Sequence, residues 1–437
     1  MQMTADAPIA QKGQFSNGYV LYAVFSLAIV NAFNGMDRVA IAILAPAIQA
    51  DMRLSDAQMG LLLGLAFSLF YGLCGIPIAR LADRGNRRAI VTAALTIWSL
   101  MTALMAAAQS FLHLFLARMG VAAGEAGGLS PSASMICDYA SGERRAGFFS
   151  IQIAGGLIGT AGGAMLVGWL GQEIGWRHTF MVLGVAGIVF AVLVGITLRE
   201  PSRGYFEHAS SAKAASFAQV LAYLWRCPTY KWVVVATLTI GLGATTFLQW
   251  WPSYFVRVLG LTSASAGLYF GLANGVGTLT GLFLGGAISN KVAARDPKLP
   301  LVFAACSMLL AIIVMAAALL APFAMMTAVC FAISACLIGV APPAITSTLY
   351  SVVSANMRAT AGTIAGLLNT AVGVGIGAFA VGILSDRLRP AFGDESLRYA
   401  MLAMIPIMLV AVWALFSAAH GFSDDVRALK SRHESDA

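Results

Sequence analysis

The chain has 437 residues, of which 59% are hydrophobic and 11% charged, against about 25% charged in an ordinary soluble domain. So few charges cannot cover the surface of a soluble protein this long. That excludes a cytosolic enzyme, a nucleic-acid binder and a disordered scaffold, and leaves a polytopic helical membrane protein. The net charge of +8 does not point to nucleic acid, because the basic residues are scattered through short segments between long apolar runs.

Residues 1–18 are polar and short and read as a cytoplasmic N-terminal tail. The first apolar run continues too far for the h-region of a cleavable signal peptide, so the first helix serves as its own insertion signal. A bilayer core about 30 Å thick needs roughly 20 apolar residues per helix. On that ruler the chain carries twelve spans, at 19–47, 57–81, 89–109, 112–137, 146–171, 177–198, 230–256, 263–289, 299–320, 323–352, 357–384 and 397–418. The fold class is therefore an all-α membrane protein. Its twelve transmembrane helices form two six-helix bundles, 19–198 and 230–418, joined by a cytoplasmic linker at 199–229 and followed by a cytoplasmic tail at 419–437. Within the linker, Phe217, Val220, Leu221 and Leu224 recur at helical spacing, which predicts an amphipathic helix on the membrane surface.

Orientation follows from the bases. With the N-terminus inside, 19 of the 27 Lys and Arg residues lie in cytoplasmic segments, Lys12 and Lys213 among them, and six on the other side; Arg38 and Arg118 lie within spans. That bias places both termini in the cytoplasm. The short tails and Ala-rich composition fit a bacterial inner membrane. The halves also look like repeats. A shift of 207 residues carries Gly60 onto Gly267, Gly64 onto Gly271, Asp83 onto Asn290 and Arg84 onto Lys291. Parallel halves of this kind place a substrate site at their interface near the midplane.

Two acids lie well inside spans, Asp37 and Glu125, and with Arg38 and Arg118 they occupy the first and fourth helices. An ionised group at the bilayer centre costs about 2.5–3.5 kcal/mol even on the lenient insertion scale. Two acids and two bases can neutralise one another. Arg118 and Glu125 are seven residues apart, about 10 Å along one helix face, so a facing residue fits between them. Arg38 is the candidate and would pair with Glu125, while Asp37 points about 100° away. A buried salt-bridge cluster that only specifies packing is the plainer reading. Intramembrane ionisable residues are nonetheless functional by default. A carboxylate that takes up a proton when its Arg partner leaves is a coupling device, so Asp37 and Glu125 are the candidate proton-coupling acids. Arg38 and Arg118 are their partners or the ligands of a substrate head group.

The second half carries no matching charges. Its polar residues within spans include Gln249, Asn274 and Asn369, beside Trp250, Trp251 and Tyr254. With Asn34 of the first helix, Gln249, Trp250, Asn274 and Asn369 are candidates to line the substrate cavity. The aromatics equally suit an interfacial belt, and the two Asn residues equally suit interhelical hydrogen bonding. On the cytoplasmic side, Asp83, Arg84, Arg87 and Arg88 join spans two and three. They read as a gate with Arg145 and Arg358, in which Asp83 latches onto a helix N-terminus of the other bundle; plain positive-inside topology explains Arg87 and Arg88 as well. Gly155, Gly159 and Gly163 form a small-residue stripe for close helix packing. No phosphate-binding Gly-Lys-Ser/Thr run is present. The five His and six Cys residues show no ligand spacing, so no metal and no cofactor is expected.

The run Ala79-Arg-Leu-Ala-Asp83-Arg84-Gly-Asn86-Arg87-Arg88 resembles the loop signature of the major facilitator superfamily, and the twelve-span layout extends that resemblance along the chain. Asn34-Gly35-Met36-Asp37-Arg38, Arg118 through Gly124-Glu125-Ala126, Asp138-Tyr139 and Glu143-Arg144-Arg145-Ala146 resemble elements of the spinster-like lipid transporters, with Gly35 in place of the usual tyrosine. The organic anion:cation symporters share a similar Asp-Arg pair and Arg-x6-Glu spacing. The first resemblance implies sphingoid or lysophospholipid substrates, the second a sugar acid or carboxylic acid. Thr160 stands after Gly159 where the drug/proton antiporter signature has proline. The expectation is a non-enzymatic, proton-coupled secondary active transporter working by alternating access as a monomer among membrane lipids. A sensor that keeps the fold without turnover is a further alternative.

Overall fold

Residues 14–206, 217–354 and 357–435 are described by a computed structural model. Lys12, Lys213, residues 207–216 of the linker and the side chains of Glu143, Phe217, Lys430 and Arg432 lie outside the described residues.

The described chain is helical without a strand. The helices are α1 (Asn17–Met52), α2 (Asp56–Leu63), α3 (Leu65–Arg84), α4 (Arg87–Met105), α5 (Phe111–Glu125), α6 (Leu129–Tyr139), α7 (Gly142–Thr197), α8 (Phe217–Arg226), α9 (Pro228–Ile240), α10 (Thr246–Arg257), α11 (Ser263–Ala293), α12 (Leu299–Leu320), α13 (Ala324–Gly339), α14 (Ala341–Ser351), α15 (Arg358–Leu368), α16 (Gly375–Phe392) and α17 (Ser396–Ser435). Local chemistry sets several starts. Ser16, Asn86 and Ser110 cap α1, α4 and α5 through side-chain oxygens, and Ser55 forms a capping box with Gln58 at α2.

Among the described residues, nine helical stretches are long and apolar enough to cross a membrane. Two of them double back. α7 breaks at Gly175, at φ 77°. Before the break its glycines pack against Ala28, Ala32 and Met36 of α1, and after it Gly184 and Gly195 pack against Ala103 and Thr92 of α4. α16 and α17 are separated by Gly393, at φ 56°. The fourth expected span is split between α5 and α6 by the turn at 126–128. These features are compatible with the twelve expected segments, though the nine stretches do not themselves count to twelve.

α8 is amphipathic in place. Val220 and Leu224 are buried, Tyr223 donates from its hydroxyl to the Val352 carbonyl at 2.7 Å, and Leu221 and Trp225 are exposed. The glycine stripe of α7 serves packing: a Cβ at Gly155 or Gly159 would strike the main chain of α1. The glycine at position 35 has the same cause, because a Cβ there would meet Thr160 Oγ1 at 2.8 Å and the Gly156 carbonyl nearer still.

The two halves touch most extensively along two seams. In one, α2 meets α16, and in the other α7 meets α11. The glycines that the 207-residue shift superposes form both seams. A Cβ at Gly60 would strike the Ala378 carbonyl, and one at Gly267 would strike the Ala164 carbonyl. Gly64 and Gly271 make the corresponding approaches to Gly375 and Ala161. Both seams lie at the end of the molecule away from the Arg84–Arg88 loop, here termed the far face; the opposite end is the basic face.

Candidate functional site

Asn34 and Arg38 stand one turn apart on α1 and therefore share a face. Both donate to Glu125 at the end of α5: Asn34 Nδ2 and Arg38 Nε each lie 2.8 Å from Oε2. Arg38 thus takes the place between Arg118 and Glu125 that the seven-residue spacing leaves for it. Glu125 is fully buried, and its Oε1 has no hydrogen-bond partner among the described residues. The Arg38 side chain is 40% exposed and is the most accessible member of the cluster.

Aromatic rings complete the site. Phe67 and Tyr71, one turn apart on α3, each lie 4.9 Å from the Arg38 guanidinium. Phe67 also lies 4.6 Å from that of Arg118. Such contacts contribute about 0.5–2 kcal/mol each as the cation is desolvated. Arg118 is buried, and its Nε has no partner among the described residues. Asp37 turns from Arg38 toward Thr102 and Trp98 of α4, within electrostatic reach of Arg118 and Glu125. All four charged residues therefore meet. Phe67, Tyr71, Trp98 and Thr102 were not anticipated; the i, i+4 pairing of Phe67 and Tyr71 on an apolar span is a signal that would have found the first two.

The arrangement has a definite chemical capability. If Arg38 swings away, Glu125 is left as a buried, uncompensated charge, a situation that costs about 3–5 kcal/mol. A proton on the carboxyl removes that cost. Arg38, the more exposed member of the pair, is the one that can move.

The seams close over this cluster from the far face, where a second charge set joins the halves. Asp56 begins α2, is fully buried, and accepts from Arg257 Nη1 at 2.6 Å, Gln49 Nε2 at 2.7 Å and Ser385 Oγ at 2.6 Å. Asp386 of α16 accepts from the backbone N–H groups of Asp56 and Ala57 at 2.9 and 2.8 Å. It satisfies orphan donors at the N-terminus of α2 and meets that helix's positive end. The latch geometry expected of Asp83 on the basic face is made here by Asp386 on the far face.

Among the described residues, the contacts of the gate residues expected on the basic face do not join the two halves. Asp83 and Arg84 are exposed. Arg87 is buried within the first half, donating to Asp138, to Ser134, to Glu200 at 2.7 Å and to the Pro201 carbonyl at 2.8 Å. Arg88 N–H donates to Glu200 at 2.7 Å. Arg145 donates to the Ala140 carbonyl at 3.2 Å, and Arg358 to the Tyr350 carbonyl at 3.0 Å. The contacts described for these bases lie within their own halves. Arg87 also fastens the start of the linker, which is why it is buried rather than solvated. Arg87→Ala leaves Asp138 buried without its cation and is expected to lower stability by about 3–5 kcal/mol; thermal unfolding in detergent reads this, and an unchanged melting temperature would contradict the buried-clamp role.

The second-half candidates are dispersed. Trp250 is fully buried and donates from Nε1 to the Ala378 carbonyl at 3.1 Å, so it is committed to the α10–α16 contact. Trp251 and Tyr254 are also fully buried. They cannot form a lipid-facing belt, because Trp251 stacks on Phe331 and Tyr254 donates to the Leu319 carbonyl at 2.7 Å. Asn274 is buried and accepts from Thr278 at 3.2 Å. Asn369 begins a π-helical turn and packs against Gly241. Gln249 is half-buried on α10.

Apolar helices in two halves, joined at one face above a buried charged cluster, are the layout of a multi-pass integral membrane transporter. The family model described as Major Facilitator Superfamily matches residues 27–378, and the chain belongs to that family. It is 32% identical over 420 residues to an MFS-type efflux pump of Mycolicibacterium smegmatis, covering 92% of this chain and 94% of that protein. It is 25% identical to human protein spinster homolog 1, covering 92% and 80%, and 26% identical to a hexuronate transporter of Bacillus subtilis, covering 65% and 67%. A crystal structure of a bacterial homolog of the human lysosomal transporter spinster, inward-facing and unoccupied, matches with a TM-score of 0.86 at 28% identity, covering 94% of this chain and 99% of that one. The chain is therefore a transporter of this superfamily, similar to the spinster proteins in sequence and structure, and not an enzyme.

Proposed function

We propose that this transporter moves an amphipathic, lipid-like substrate of sphingoid or lysophospholipid type by proton-coupled alternating access, working as a monomer. Asp37 and Glu125 carry the proton. Arg38 and Arg118 balance the acids and meet the substrate head group. The observation that carries this reading is the Arg38–Glu125 pair: one member is fully buried and the other is 40% exposed in an aromatic cage. A head group that draws Arg38 outward raises the cost of an ionised Glu125 and so favours its protonation. Positive-inside topology makes the basic face cytoplasmic and the far face external, in a bacterial inner membrane. The conformation is then inward-facing. Asn34, Gln249, Asn274 and Asn369 remain candidate cavity residues, whereas Trp250 acts as a seam residue. Asp83, Arg84, Arg87, Arg88, Arg145 and Arg358 would form the cytoplasmic gate when that face closes.

A second reading, proton-coupled symport of an organic anion such as a sugar acid, is favoured by two guanidiniums without a full set of partners. The named functions of the spinster and hexuronate relatives support one reading each. Proton movement into proteoliposomes, read with an internal pH dye, tests both. Lysolipids and sphingoid bases are run against sugar acids and aromatic acids, with Glu125→Gln vesicles as the blank. A lipid-only signal is expected; an acid-only signal assigns the second reading, and silence from both panels rejects proton coupling.

A further inference from the structure

Above the closed seams, on the far face, lies a vestibule of about 490 Å3 lined by Gln49, Arg53, Arg257, Asp386, Arg389 and Asp394, among others. Its volume falls within the roughly 300–1,000 Å3 typical of small-molecule sites. Both interactions that join the halves here open onto it, because Arg257 and Asp386 line it and each also bonds α2. Arg257 uses Nη1 on Asp56, while its Nη2 is buried with no hydrogen-bond partner among the described residues. Gln49 is similar: Nε2 holds Asp56, and Oε1 is buried without a partner. The guanidiniums of Arg53 and Arg389 form no ion pair among the described residues. Asp386 lies among them, but both its oxygens are engaged by the amides of α2.

We propose that this vestibule is a second binding site, for a soluble carboxylate- or phosphate-bearing anion approaching from the far face, and that an anion held there bridges Arg53 of the first half to Arg257 and Arg389 of the second and holds the gate closed. Arg forks bind carboxylate and phosphate in bidentate fashion, and three of them converge here. The coupling follows from linkage. While the gate is closed, the anion meets guanidiniums of both halves at once; opening draws Arg53 away from Arg257 and Arg389 and leaves the anion with one half's share. The anion therefore binds the closed state more tightly and shifts the population toward it. The site stands on the gate geometry and holds whether the central cargo is a lipid or an acid.

The test uses the full chain in detergent, with its six native cysteines replaced. An environment-sensitive fluorophore at Ala50→Cys, on the vestibule wall, reports local binding of D-glucuronate, with D-glucose as the neutral control. Saturable binding of D-glucuronate alone is expected, weakened at least about tenfold in an Arg53→Gln, Arg389→Gln double variant that leaves the gate pair and the central cluster intact. In a Gly60→Val background, which disfavours closure of the far face, spin labels at Ala50→Cys and Phe392→Cys, on opposite halves, are expected to move together at saturation. Equal affinity in the double variant, or equal binding of D-glucose, overturns the site. A label separation that saturating D-glucuronate leaves fixed overturns its coupling to the gate.

Discussion

Replacing Glu125 by Gln is expected to abolish transport driven by a pH gradient while the protein still folds and still binds substrate. The amide keeps an oxygen to accept from Asn34 and Arg38, which now share Oε2 at 2.8 Å, but it has no proton to exchange. It also removes the one buried charge that Arg38 must compensate, so Arg38 is freer to meet an anionic head group. Accumulation against a gradient is expected to disappear, while exchange between equal pools persists and no longer varies with pH. Retention of full pH-driven uptake by the Gln variant would assign the coupling to Asp37 alone or to neither acid. Counterflow in proteoliposomes at two pH values separates these outcomes.

Adding bulk at Gly60 or Gly267 is expected to stop the cycle by a different route. At both positions a Cβ strikes a carbonyl of the opposite half, well inside the 3.5–4.0 Å that carbon contacts prefer. Overpacking of this kind costs about 1–3 kcal/mol, which corresponds to a shift of roughly 5–150-fold in the balance between closed and open seams. Gly60→Val and Gly267→Val are expected to disfavour closure of the far face and reduce turnover by at least that lower factor, with their effects adding because the seams are separate. Label separation across the far face and initial transport rates measure the two consequences. A Gly267→Val protein with normal rates and a normally closed far face would show that the seam yields.

The sequence made the architecture legible because membrane insertion leaves a coarse record: apolar runs of bilayer length, few charges, and bases sorted to one side. It also revealed the Arg38–Glu125 pairing, since four intramembrane charges on two helices have few ways to neutralise one another. The 207-residue shift singled out Gly60 and Gly267 without telling their purpose; only contact between halves does. What stayed hidden depends on conformation. Asp83 carries the signature of a latch, but a latch is visible only when its face is closed, and here Asp386 makes the equivalent contact at the other end. Arg87 looked like its neighbours Arg84 and Arg88, although a buried network with Asp138 and Glu200 holds it. Trp250, a candidate for the cavity, suited an interfacial belt equally well, as did Tyr254, from its place near the end of a span, and burial in the second half decided against the belt.

The central cluster holds two guanidiniums and two carboxylates, so its formal charge is zero. One bound proton makes it +1, and one bound monoanion then returns it to zero. A carrier loaded with both crosses electroneutrally: it responds to a pH difference and ignores voltage. A zwitterionic lysolipid leaves the loaded carrier at +1, so that each transit moves charge and gains about 2.3 kcal/mol per 100 mV, roughly 50-fold in accumulation. Clamping the membrane potential with a potassium ionophore would therefore sort the cargo by class before any individual substrate is identified.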